Sequence, residues 1–217
     1  MQKIILIFTS MVLFWSCGLK GFENLPADEN QDTTVFQEDS SLFQKEEGSS
    51  VFDFETNESK YLTEYGYTLW TSEFKNESET FEPVSVKVCK ISGNKDAGYG
   101  IVFCSQEIDK KPYLLTVLIT AGGFYSVGKV VDGVFNYILT SKSSSSIKSG
   151  YGVYNSIAVS YDAESKDFLL KFNGIQTDRF SVTDNLVFKE SSAGFVTVIS
   201  DREKFPESPV KVTFEKL

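Results

Sequence analysis

Phe124-Tyr-Ser-Val-Gly-Lys-Val-Val131-Asp132-Gly133-Val134-Phe-Asn-Tyr-Ile-Leu139 decides the fold class. Two runs of strand-forming residues flank Asp-Gly, and a type I′ turn requires positive φ at both of its central residues. The stretch therefore reads as a tight β-hairpin. Working outward, the same period of two recurs. Val84, Val86 and Val88 alternate with Ser85 and Lys87. Tyr113 to Thr120 is an apolar run rich in strand formers. Ser156 to Tyr161 alternates, and Phe168, Leu170 and Phe172 lead into Asn173-Gly174, a second hairpin turn closed by Ile175 to Phe180. Phe195 to Ile199 and Val210 to Phe214 complete the set. Strands at this spacing, with no sustained helical period, predict an all-β, two-sheet antiparallel β-sandwich over residues 51–217.

Composition narrows the function. The 217 residues carry a formal charge of -9, with 14% aromatics. An acidic chain does not fit a nucleic-acid backbone, which requires a basic face. No histidine is present, which removes Ser-His-Asp and Cys-His catalysis, His-ligated zinc and a histidine pH switch.

The first sixteen residues read as an export signal. Lys3 precedes the apolar run Ile4 to Phe14, which is too short for a membrane span of ~20 residues. The run ends in Leu13-Phe14-Trp15-Ser16-Cys17-Gly18, which resembles the lipobox of bacterial lipoproteins, in the looser form found in spirochaetes. Phe14 and Trp15 depart from the strict pattern. The resemblance implies cleavage before Cys17, lipidation of Cys17 and a lipid-anchored address in the cell envelope, at the outer membrane. Several acyl chains, at about 0.8 kcal/mol per buried methylene, bind a membrane durably. Residues 18–50 then hold eight acidic residues against Lys20 and Lys45, and their apolar residues show no period. Residues 17–50 are therefore expected to be a disordered, self-repelling tether.

Within 51–217 the residues carry a second resemblance. Ala97-Gly-Tyr-Gly-Ile-Val-Phe103, the hairpin Gly122 to Gly133, Phe168 to Gly174, Ala193-Gly-Phe195 and the closing strand Val210 to Leu217 resemble, in order, the strands of concanavalin A-like, LamG-type jelly rolls. That family includes lectins, glucanases and surface modules, so it implies a fold and not a function.

Glycoside hydrolysis needs two opposed carboxylates, and no Glu-x-Asp-x-x-Glu strand occurs. Asp53 and Glu55 alternate with Phe52 and Phe54, the pattern of a solvated face on an edge strand. No ligand string specifies a structural calcium near these acids, and no cofactor is expected. Ser72 to Lys75 and Ser145 to Lys148 match Ser-x-x-Lys without companion motifs. An enzyme is therefore not expected. Cys89 and Cys104 suit one disulfide, because a hairpin of 84–91 with 100–106 would set them opposite each other; such a bond contributes about 3 kcal/mol. For ligand binding, the hairpin about Asp132-Gly133 puts Tyr125, Lys129 and Asn136 on one face, and Tyr151 and Tyr154 lie in the adjoining loop Ser149 to Asn155. The leading expectation is a membrane-tethered module binding a glycan or a protein at the envelope. A glycoside-active enzyme and a structural subunit are the alternatives. A concave groove lined with aromatics favours binding, and a flat apolar patch favours a structural role.

Overall fold

The computed structural model describes residues 34–217. Strands are numbered in chain order. An eight-stranded sheet runs β1 (Val35–Glu38), β4 (Tyr67–Trp70), β14 (Ser192–Ile199), β7 (Tyr99–Ile108), β8 (Lys111–Ile119), β9 (Phe124–Val131) and β10 (Val134–Ser143), with β5 (Phe74–Lys75) beside β14. A seven-stranded sheet runs β13 (Ile175–Phe180), β12 (Asp167–Phe172), β11 (Tyr154–Asp162), β6 (Val84–Ser92), β15 (Val210–Lys216), β3 (Val51–Thr56) and β2 (Phe43–Lys45). Every pairing is antiparallel except β1 with β4. The two sheets form a jelly-roll sandwich.

Both hairpins form where Asp-Gly and Asn-Gly stand. Asp132 and Gly133 have φ of 54° and 79°, and Asn173 and Gly174 have 51° and 81°. These positive values need residues that tolerate the left-handed region. Alternation along β3 buries Phe52 and Phe54 and leaves Asp53 and Glu55 outside. The strand is not an edge, however, because β2 lies beyond it.

The tether expectation is corrected in its second half. Residues 17–33 lie outside the described residues, but 34–50 are folded. This segment straps the open side of the sandwich: β1 joins the eight-stranded sheet and β2 the seven-stranded one. Phe43 is buried at 4% exposure, with its ring 5.0 Å from Phe54 and 5.9 Å from Phe214. A strap that changes sheets between its two phenylalanines has no reason to show a strand period, which is why its sequence reads as unstructured.

The eight-stranded sheet is curled. Laid flat, the six steps from β1 to β10 would separate the edges by about 29 Å. Instead Phe36 of β1 and Phe135 of β10 stack with ring centroids 6.1 Å apart. Phe135 crosses over β9 because residue 128 is glycine; a Cβ there would lie 2.3 Å from the ring. The hollow is filled by a second apolar core containing Val102, Leu114, Leu118, Val130, Val196 and Val198.

The strap makes a prediction. Phe43→Ala is expected to cost about 3–5 kcal/mol, read from the urea midpoint at unchanged slope. An unchanged midpoint would return residues 34–50 to the role of a tether.

Candidate functional site

The five ligand-binding candidates separate into two groups. Tyr125 is buried, and its hydroxyl donates to Asp178 Oδ2 at 2.9 Å. Lys142 donates to the same oxygen at 2.8 Å. Lys129 reaches both oxygens of Asp184 at 3.1 Å, and Tyr113 donates to Asp184 at 3.1 Å. Two Tyr-Asp-Lys clusters thus tie β8, β9 and β10 to β13 and the segment after it. Burial pushes the Tyr125 phenol up to about 12, with Asp178 adding to the shift. Burial acts to raise Asp178 as well. The hydrogen bonds from Lys142, the Arg179 N–H and Tyr125 outweigh it and hold the carboxyl below its ordinary value. Asn136 pairs with Lys129 in register but is exposed, and among the described residues its side chain bonds to Val134 O. Tyr125 and Lys129 therefore do not form a ligand face with Asn136. The hairpin pairing is as expected, but the side of β9 that carries them turns toward the second sheet.

Tyr151 and Tyr154 are exposed at 48% and 46%. Tyr151 is held by its hydroxyl, which donates to Gly93 O. Tyr154 opens β11 on the outer face of the seven-stranded sheet. In register, Tyr154, Cys89, Thr213 and Asp53 form one row across the sheet, and Ser156, Lys87 and Glu215 form the next. The Lys87 ammonium sits 4.6 Å from the Tyr154 ring centroid and 3.2 Å from Glu215 Oε2. Thr213 donates to Asp53 at 2.8 Å. The result is an aromatic ring braced by a cation within a field of hydroxyls and carboxylates. By contrast, the core on the other face of the eight-stranded sheet is aliphatic, with Phe36, Trp70 and Phe135 packed against it.

The disulfide expectation is overturned. β6 and β7 lie in different sheets, so residues 84–91 and 100–106 do not pair, and both cysteines are free and buried. The segment between them crosses the sandwich where a hairpin turn was expected. Cys89 lies on the side of β6 opposite Val88. Cys104 occupies a β-bulge at φ 51°. Burial raises the pKa of each thiol, which keeps them protonated and unreactive. The Ser-x-x-Lys pair at 72–75 is not assembled: Ser72 meets Ser192, and Lys75 is paired with Glu190, whose hydrogen bond raises the lysine pKa. Among the described residues no cluster of three or more His, Cys, Asp or Glu could hold a metal. No described helix is long and apolar enough to cross a membrane. Cys17 lies outside the described residues.

One charged group escaped the sequence reading. Lys90 follows Val86 and Val88 on the inward side of β6 and is fully buried. Its ammonium donates to Ala97 O at 2.9 Å and lies 5.6 Å from the Tyr99 ring centroid. Desolvation lowers its pKa to about 8, although Glu203 and Asp96 pull the other way.

No protein-family model matches the chain, and no curated protein matches it in sequence. Solved structures do resemble it. A glycosidic hydrolase has a TM-score of 0.53 at 9% identity, covering 85% of this chain and 84% of that one. A β-glucanase from Bacillus licheniformis has 0.50 at 8% identity, over 91% and 94%. A carbohydrate-binding module, CBM66, from Bacillus subtilis has 0.43 at 13% identity, over 64% and 73%. At such identity the likeness establishes the fold alone: a concanavalin A-like jelly roll.

Ellman's reagent is expected to titrate both thiols only after denaturation, and reductant to leave Tm unchanged; a reductant-dependent Tm would restore the disulfide. Lys90 is protonated in both states below pH 8. Between pH 8 and its ordinary 10.5 the unfolded chain binds the extra proton, so stability rises with pH across that window. Relative to Lys90→Met, the native protein should gain about 3 kcal/mol over this range. A pH-independent difference would sink the assignment.

Proposed function

We propose that the protein is a non-catalytic glycan-binding module, presented from a membrane by lipid on Cys17, that takes a sugar chain on the outer face of its seven-stranded sheet. The observation that carries this reading is the Tyr154 platform. A pyranose presents an apolar face rimmed by hydroxyls, and a rigid exposed ring with polar neighbours is its complement. Lys87 fixes the ring in advance, which lowers the entropy lost on binding. Lys87 lies over one face of the ring, and Glu215, Ser156 and Thr213 supply acceptors and donors in the same and the neighbouring row of the sheet. The ion pair of Lys87 with Glu215 is itself weak, in the usual surface range of about 0–1 kcal/mol, so it can exchange partners with a sugar hydroxyl. The hydrolase and the β-glucanase of similar fold are named for action on glycans, which is consistent with a sugar ligand here.

Several features support binding over hydrolysis. A glycosidase needs an acid of raised pKa facing a second carboxylate. The carboxyls that depart from their ordinary values, Asp162, Asp178 and Glu190, all move down. Asp178 and Asp184 are each occupied by a lysine and a tyrosine. Asp53 and Glu55 are engaged by Thr213 and Lys211.

Titration calorimetry against a panel of β-linked oligosaccharides tests the proposal. Tyr154→Ala should weaken binding at least tenfold, with Tm nearly unchanged. Tyr151→Ala should have a smaller effect. Binding that survives Tyr154→Ala intact would move the site elsewhere.

A further inference from the structure

Four residues along β6 from Cys89, about 13 Å at strand rise, Ser85 is one of the residues that line a cavity between the ends of the two sheets. The cavity has a volume of about 50 Å³. At about 10–15 Å³ for each water-sized group, it admits only a few non-hydrogen atoms. A whole pyranose does not fit, whereas a single small substituent does.

The lining is mixed: Phe74, Phe81 and Ala193 give it apolar walls, and Lys75, Glu82 and Lys216 are its charged residues. Cys104 and Ala193 are buried, and Phe74 and Phe81 are half-buried walls. The Cys104 thiol is kept neutral by burial. Its bulge, at φ 51°, is a strained backbone position on the cavity wall; such strain is often retained where it serves a function. Lys216 lines the cavity from the exposed end of β15, with its ammonium 4.3 Å from the Phe74 ring centroid. It forms no ion pair among the described residues, in contrast to Lys75, which is paired with Glu190.

We infer that this cavity is a subsite for the acetamido group of an N-acetylated amino sugar. The methyl enters the apolar floor among Phe74, Phe81 and Ala193, and the amide carbonyl accepts a hydrogen bond from Lys216. This inference rests on the glycan reading and names its ligand class: a β-linked polymer of N-acetylhexosamine, one residue of which is anchored here, at the end of the sandwich, while the chain passes over the ends of β6 and β15 to the outer face that carries Tyr154.

Calorimetric titration with a short β-1,4-linked N-acetylglucosamine oligomer and with the matching cello-oligosaccharide tests it. The two differ by an acetamido group in place of a hydroxyl, and both are uncharged. The acetylated oligomer should bind at least tenfold more tightly. Lys216→Ala, at an exposed position, should reduce that preference several-fold. Ala193→Leu should fill the cavity and abolish the preference while leaving cello-oligosaccharide binding unchanged; its melting curve checks that it folds. Equal affinity for the two oligomers would overturn the subsite and leave the Tyr154 reading intact. Binding of neither oligomer, nor of any other glycan in the panel, would overturn both. A preference that persists unchanged in Lys216→Ala and in folded Ala193→Leu would place the recognition of the acetamido group elsewhere and overturn this site.

Discussion

Phe195 of β14 and Phe214 of β15 stack across the sandwich with ring centroids 4.8 Å apart. Around this pair gather Phe43, Phe52 and Phe74, drawn from strands of both sheets. Aromatic pairs in these geometries contribute roughly 0.5–1.5 kcal/mol each beyond burial. The stack joins the eight-stranded sheet to the seven-stranded one and receives the strap through Phe43. It also positions the Phe74 wall of the cavity between the sheet ends. The closing strand, the strap and the cavity therefore share one packing unit.

The two outer faces of the sandwich have opposite characters, and the difference follows from curl. On the eight-stranded sheet, outward positions such as Val102, Val196 and Leu118 would be exposed in a flat sheet. Curling brings the edges together until Phe36 meets Phe135 and the face becomes a second interior. The hydrophobic effect, at about 25 cal/mol per Å² of buried apolar surface, favours that closure. The seven-stranded sheet keeps Lys87, Thr213, Glu215 and Tyr154 on its outer face.

Lys90 and Tyr125 illustrate the gap between pattern and placement. Alternation along Val86, Val88 and Lys90 is legible in the sequence, yet a lysine argues against an inward position because burying its charge is costly. It is tolerated at the end of the sandwich, where Ala97 O accepts one hydrogen bond and the Tyr99 ring lies close. Tyr125 and Lys129 alternate as expected, but period two does not state which side is inward. That choice was made by Asp178 and Asp184, contributed from a segment about fifty residues away.

What the amino-acid sequence by itself determined is local. Asp132-Gly133 and Asn173-Gly174 impose their turns because positive φ at two successive residues suits few side chains. Alternation defines the strands from Val51 onward, because successive side chains point to opposite faces. Tyr151 and Tyr154 could be named as candidates because both fall in the Gly/Tyr stretch from Ser149 to Asn155 that reads as a loop; the structure starts β11 at Tyr154. The tertiary structure decided which strands share a sheet. It sent β6 and β7 to opposite layers, which left Cys89 and Cys104 as separate buried thiols. It turned Tyr125 inward and folded the strap at 34–50 into both sheets. Each of these outcomes depends on contacts between residues far apart in the chain, and a one-dimensional period carries no information about which distant partner will be met.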